Sequence, residues 1–186
     1  MRKKFRHPVT LWGLAAVTLL LMAFPARGGV LLTVDEALRL AFPDCQITRK
    51  TVYLTRNQLA QAASLSDVET RSALVNPYVA TKNGRIVGVA YFDVHTVRTL
   101  TETLMIVIDA ENRIQRIEII AFHEPREYLP RPAWLQQFAG QQLDDELALK
   151  RKIRNMTGAT LTARAVTDAI RRVMALHLTL KGTLIP

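Results

Sequence analysis

Cysteine is nearly absent: Cys45 is the single one among 186 residues. An intramolecular disulfide is excluded, and a cysteine-built zinc or iron–sulfur centre has no ligand set. Standard catalytic signatures are missing too. The chain holds no G-x-S-x-G elbow, no G-x-x-x-x-G-K-[ST] loop, no H-E-x-x-H pair and no G-x-G-x-x-G fingerprint. Its four histidines, His7, His95, His123 and His177, are dispersed without metal-ligand spacing. No repeat and no low-complexity linker interrupts it. A hydrolase is disfavoured because no nucleophile–base arrangement can be read. Hydrophobic residues make up 49%, which excludes wholesale disorder.

Acidic residues are missing from the first 28 positions, and this skews the formal charge of +9. That stretch holds Arg2, Lys3, Lys4, Arg6 and Arg27, five of the 25 basic residues, so the rest of the chain carries 20 basic against 16 acidic residues. No basic patch with interleaved aromatics remains, and nucleic acid is not an expected partner. An uncharged apolar run, His7 to Ala26, follows the basic start. It has the layout of an export signal and, at ~1.5 Å rise per residue, just the length to span a ~30 Å hydrocarbon core. Residues 1–28 therefore read as a signal peptide or membrane anchor, cleaved or retained. The rest should lie on the outer face of the cytoplasmic membrane or in the periplasm.

Past the leader, Thr33 and Glu36 read as a capping box for a helix that Pro43 stops. Residues 46–54 read as a strand, and Thr55 with Gln58 opens a second helix to about Leu65. Strands are expected at 78–82 and 86–95 around the hairpin dipeptide Asn83-Gly84, then at 102–108 and 113–121. This is an antiparallel meander with one face packed and one partly wet. His123, Glu124 and Pro125 begin a loop, Trp134, Leu135 and Phe138 read as anchors of a short helix ending near Gly140, and 141–153 has no clear pattern. Thr162 reads as the cap of a last helix, with Leu161 and Val166 as its hydrophobic staple. The fold class is α+β: an antiparallel sheet meander with flanking helices. Residues 29–76 form an N-terminal helix–strand–helix portion packing on a domain at 77–180.

One short run carries a possible chemistry. Thr157-Gly158-Ala159-Thr160 stands directly before the last helix. Chance alone puts such a tetrapeptide in roughly one chain in a hundred of this length, so its placement matters more than its occurrence. Gly and Ala let a bulky group approach the backbone. The helix start offers free N–H groups and a positive dipole end that suit a phosphate. Thr157, Thr160 and Thr162 bring hydroxyls to the same place.

With these residues in view, the sequence resembles the FMN-binding domain family, whose members include the G subunit of the Rnf electron-transport complex and the flavin-carrying counterpart of that subunit in the sodium-translocating NADH:quinone reductase. The family motif is Asp-x-x-[Ser/Thr]-Gly-Ala-[Thr/Ser], matched here by Thr157 to Thr160, with Ala165-Val166 continuing the likeness into the helix. Upstream, His123-Glu124-Pro125 follows a strand as the family's His-Glu-Thr-Pro loop does, and Phe138-Ala139-Gly140 matches its Phe-x-Gly. The ordered set covers about residues 78–178. The resemblance implies FMN held covalently through a phosphoester on Thr160. Thr157, Gly158, Ala159, Leu161 and Thr162 would stand around it, and Glu124 and His123 would reach the flavin. Leu161, Trp134 and Tyr128 are candidates to line the ring. A flavin transferase would mature the protein, and membrane-bound electron-transfer subunits would exchange electrons with it, making it a carrier and not a free-standing enzyme. Two positions depart from the family. Arg154 stands where the motif has aspartate, and no threonine separates Glu124 from Pro125. The first departure keeps a rival in play, a non-flavinylated exported interaction or assembly module of the same fold.

Overall fold

The computed structural model describes residues 29–70 and 72–184. The leader, with the signal or anchor expectation, lies outside the described residues. Among those described, no helix is long and apolar enough to cross a membrane.

Helix α1 (Val34–Ala41) opens on the expected box: Thr33 Oγ1 accepts from the Glu36 N–H, and Glu36 accepts from the Thr33 N–H. Next come β1 (Gln46–Arg49) and β2 (Val52–Tyr53), where the sequence suggested one strand. The break has a cause, since β1 joins the main sheet and β2 pairs separately with β3 (Leu74–Val75). Between them α2 (Arg56–Ser66) uses the Thr55–Gln58 capping box.

The strands β4 (Tyr78–Lys82), β5 (Arg85–Thr96), β6 (Thr101–Asp109) and β7 (Ile114–Phe122) form the antiparallel meander. With β1 they make a five-stranded sheet in the order β1-β4-β5-β6-β7. Asn83 and Gly84 both have positive φ, 53° and 74°, the signature of a type I′ hairpin turn. After β7 come a 3-10 turn at Arg126–Tyr128, the short α3 (Pro132–Leu135), a second 3-10 turn at Gln136–Phe138, and Gly140 with φ 75°. Helix α4 (Thr160–Leu184) closes the fold.

The meander is not half wet. Leu104 to Ile108 are buried without a break, so both sheet faces are covered. Helix α4 lies on one face, packing Val166, Ile170, Val173 and Met174 against Leu104, Ile106 and Ile108. Helix α1 lies on the other, packing Ala37, Leu38 and Phe42 against Ala90, Met105 and Val107. Phe42 sits so close to Gly88 that a β-carbon there would meet its ring at 3.0 Å. Alternation cannot mark a central strand sandwiched by helices, which explains the difference.

Two details of α4 also differ from expectation. The helix starts at Thr160, so Thr162 is a buried first-turn residue and not its cap. Leu161 is 47% exposed and makes no staple with the buried Val166. The cap position falls on Ala159, three residues upstream of Thr162.

Candidate functional site

The motif loop is held from below by α3 and the turn after it. Trp134 Nε1 donates to the Arg154 carbonyl at 2.7 Å, and the Arg154 N–H donates to Gln137 Oε1 at 2.9 Å. Trp134 in turn meets Phe138 edge to face. Trp134 is thus a clasp for the loop that leads to Thr160, a role the sequence did not reveal. With both its backbone groups tied, Arg154 presents an exposed side chain.

Past Arg154 the chain turns sharply. The Ala159 N–H donates to the Met156 carbonyl, and Gly158 sits at φ 80°. The space where a β-carbon of residue 158 would stand is open. The first α-helical bond of α4 runs from the Ala163 N–H to the Ala159 carbonyl, so the N–H groups of Thr160, Leu161 and Thr162 precede it. Thr160 is exposed, and its Oγ1 accepts a hydrogen bond from Asn155 Nδ2 at 3.1 Å. Thr157 and Gly158 are exposed beside it, whereas Ala159 and Thr162 are buried. A cavity of about 950 Å³ opens here, lined by Thr160, Asn155, Lys150, Arg151, Arg164 and Asp168 among others. That is the size of a cofactor site, and Arg164 lies one helical turn from Thr160 on the same face. The open position at Gly158, the exposed threonine and the four basic residues of the lining, set against three aspartates, fit a phosphorylated cofactor.

His123 and Glu124 do not line this cavity. Two contacts set α4 against β5: Tyr91 Oη with His177 Nδ1 at 3.0 Å, and Arg172 with Asp93 at 2.7 Å. Beyond β5 the chain turns through Arg98 and Thr99 into β6, forming the β5–β6 tip. That tip is gripped by Glu124, whose Oε1 accepts from the N–H groups of Arg98, Thr99 and Leu100 at 2.9–3.0 Å. Burial alone would raise the Glu124 carboxyl. The three donors outweigh it and hold the group below the ordinary carboxylate range. Its structural assignment is a loop clasp. His123 is exposed, with Nδ1 3.1 Å from the Thr101 carbonyl oxygen. Tyr128 stacks under the Arg98 guanidinium at 4.7 Å, and Leu161 points to solvent.

A second cavity, about 930 Å³, adjoins the first and shares Asp67, Val68 and Asp168 with it. Its wall carries a charge cluster that sequence reasoning missed. Asp93 is held bidentate by Arg172 and contacts His95 Nδ1 at 3.0 Å. His95 Nε2 stands 3.3 Å from the fully buried Glu102, whose oxygens make no hydrogen bond among the described residues. Burial disfavours the His95 cation, but Asp93 and Glu102 outweigh it and push the imidazole up to about 9. Burial raises Glu102 and also raises Asp168, against the pull of Arg164 and Arg172. The cluster joins β5, β6 and α4. The only signal for it in the sequence is the i, i+2 spacing of Asp93 and His95 on one strand face.

Residues 100–175 match the family model of the FMN-binding domain. This stretch of the chain is similar to an FMN-binding domain. It runs from β6 through the Glu124 clasp and the motif loop into α4, and the match supports FMN as its ligand. Among solved structures, the crystal structure of Shewanella oneidensis NqrC is similar to this chain. Its TM-score is 0.55 and its identity 14%, covering 80% of this chain and 88% of that one. At that identity the likeness shows the fold, an antiparallel sheet with flanking helices. No curated protein matches.

Proposed function

We propose that this chain is an electron-transfer flavoprotein subunit that carries FMN covalently on Thr160. It would work at the outer face of the cytoplasmic membrane, held there by its N-terminal segment. The observation that carries the reading is the exposed Thr160, at the start of α4 and in the lining of a cavity that also holds Lys150, Arg151 and Arg164, within the stretch that matches the FMN-binding domain.

The residues have separate tasks. Gly158 keeps the approach to the backbone open. The first N–H groups of α4 and the Arg164 guanidinium would hold the phosphate and offset its charge. Asn155 donates to Thr160 Oγ1 and so fixes the direction of its lone pairs. Trp134 and Gln137 hold the loop in register. When bound, FMN supplies the electron transfer, and the protein supplies orientation and electrostatics. No side chain is needed as a nucleophile or base toward a second substrate. A phosphoester to Thr160 would also prevent loss of the cofactor by dilution outside the cytoplasm. Membrane-bound redox subunits are the expected donors and acceptors. A flavin transferase would install the group.

Arg154 favours a second reading, because the motif's acidic mark is reversed there. In that reading the same fold is a non-flavinylated assembly module. Co-expression of the full chain with an active flavin transferase separates the two. The first reading predicts fluorescence that survives denaturing electrophoresis and is lost in Thr160→Ala. A dark chain beside a fluorescent control substrate contradicts it.

A further inference from the structure

Strand β5 runs on where its neighbour has not yet begun. Strand β4 starts at Tyr78, opposite Ala90, so Tyr91 to Thr96 have no strand beside them on the β4 side. The cause lies upstream of Tyr78. Pro77 brings no N–H to a ladder and its carbonyl accepts from the Lys50 N–H, while Leu74 and Val75 pair with β2. The chain is thus committed elsewhere until it reaches Tyr78.

The hydrogen-bond alternation shows what this gap exposes. The Val97 N–H donates to the Leu100 carbonyl, and β5 keeps one register with β6, from Thr96 opposite Thr101 back to Phe92 opposite Met105. Bonded pairs alternate along an antiparallel ladder. Asp93 and His95 therefore turn their backbone groups to β6, and Phe92, Val94 and Thr96 turn theirs to the open side. No backbone partner meets them there among the described residues. Proteins usually blunt such edges. Here β1 is four residues long, and β7 is covered at both ends, by the Gly29 carbonyl on the Phe122 N–H and by the Gly140 N–H on the Ile114 carbonyl. The open stretch of β5 has no proline, no lysine and no bulge. Its inward charges are already matched, Asp93 by Arg172 and His95 by Asp93 and Glu102.

The gap opens into the second cavity, about 930 Å³. Six strand residues need ~20 Å of length. The two sides of the cavity differ. Phe92, Val94 and Val34 make the α1 side apolar, with Val94 65% exposed. On the α4 side stands Asp168, half-buried and without an ion pair among the described residues. The connection from α2 to β3, with Val68, Thr70 and Ser72, lines the same cavity. A second copy of β5 would bring its own connection into the gap, so the space suits one isolated strand and not another sheet edge.

We infer that the open edge of β5 is a docking slot for an extended segment of a partner polypeptide, which adds as a strand beside Phe92–Thr96 with apolar residues facing Val94 and a basic residue facing Asp168. Main-chain hydrogen bonds give the affinity, and the alternation of side chains gives the specificity. The slot is built from β5 and does not depend on where the flavin sits.

The test follows backbone amide exchange by NMR on the full chain in detergent, with a blocked hexapeptide of alternating valine and lysine as the probe. Without peptide, Phe92, Val94 and Thr96 should exchange fast and Asp93 and His95 slowly. Saturating peptide should slow the first three about tenfold or more and leave the other two unchanged. The same peptide methylated at every backbone nitrogen should not bind, and a valine–glutamate hexapeptide should bind roughly three- to tenfold more weakly. Val94→Pro removes an open-side N–H without touching the β6 ladder and should abolish binding, whereas Val94→Thr keeps the donor and should keep it. Slow exchange at all three residues before peptide is added, from the chain's own leader or from a second copy, overturns the proposal. So does millimolar peptide that leaves them fast, or a methylated peptide that binds as well as its parent. The methylated peptide leaves the protein unaltered, so the test stands even where Val94→Pro fails to fold. In-gel flavin fluorescence of the same sample reports on Thr160 separately.

Discussion

Replacing Glu124 by alanine separates a flavin contact from a loop clasp. In the structure one carboxylate oxygen accepts three backbone N–H groups, from Arg98, Thr99 and Leu100. A hydrogen bond to a charged group contributes ~1.5–3 kcal/mol net. The three share one acceptor, and the loop that donates them is exposed, so water replaces part of what is lost. The total should be ~2–3 kcal/mol for Glu124→Ala and about half that for Glu124→Gln, which keeps an acceptor without the charge. At ~2–4 °C per kcal/mol for a domain of this size, Glu124→Ala should melt ~4–12 °C lower. The loss should shrink as pH falls, because the lowered carboxyl stabilises the fold above its unfolded value and loses that contribution as pH drops through its folded one. Calorimetry across pH 3–7, with hydrogen exchange at residues 98–100, makes the measurement. Unchanged stability together with lost flavin would refute the clasp and make Glu124 a cofactor ligand.

Other outcomes follow from the same geometry. His177 is held at about 4, chiefly by burial, and His95 at about 9. Stability should therefore fall as pH drops from ~6.5 toward 4, where only the unfolded chain takes up the His177 proton. It should fall again as pH rises from ~6.5 to 9, where the folded chain loses its extra proton on His95. Denaturant titrations of His177→Gln and His95→Gln should flatten the acid and alkaline arms respectively. Gly88→Ala must push Phe42 away from a 3.0 Å contact and should cost ~1–3 kcal/mol, read from the urea midpoint. Trp134→Phe keeps the ring and loses the bond to the Arg154 carbonyl. It should cost ~1 kcal/mol and slow flavin attachment more than it lowers stability, which timed gel fluorescence would show. Arg154→Asp restores the family's acidic position and should raise the attached fraction under limiting transferase.

Local chemistry is what the sequence displayed best. Both capping boxes, the Asn83-Gly84 turn and the strands of the meander stand where side-chain and backbone preferences put them. Those features need only neighbours in sequence. The double burial of the sheet was hidden because it depends on α1 crossing to the far face, which no local pattern reports. The start of α4 was misplaced because threonine at 162 is as good a cap by type as the true start is poor: Ala159 offers no acceptor. The motif Thr157–Thr160 was legible as a run of small and hydroxyl residues. Its clasps, Trp134 and Gln137, lie about 20 positions away and carry no signature. The His95–Glu102 pair was equally invisible, since strand register alone places one opposite the other.

Peptide mass spectrometry on the co-expressed full chain tests the central claim most directly. A covalent flavoprotein should show a gain of one FMN less one water on the peptide bearing Thr160, with fragment ions placing it on Thr160 and not on Thr157 or the buried Thr162. FMN that leaves entirely on denaturation, with every threonine of the motif unmodified, would contradict it.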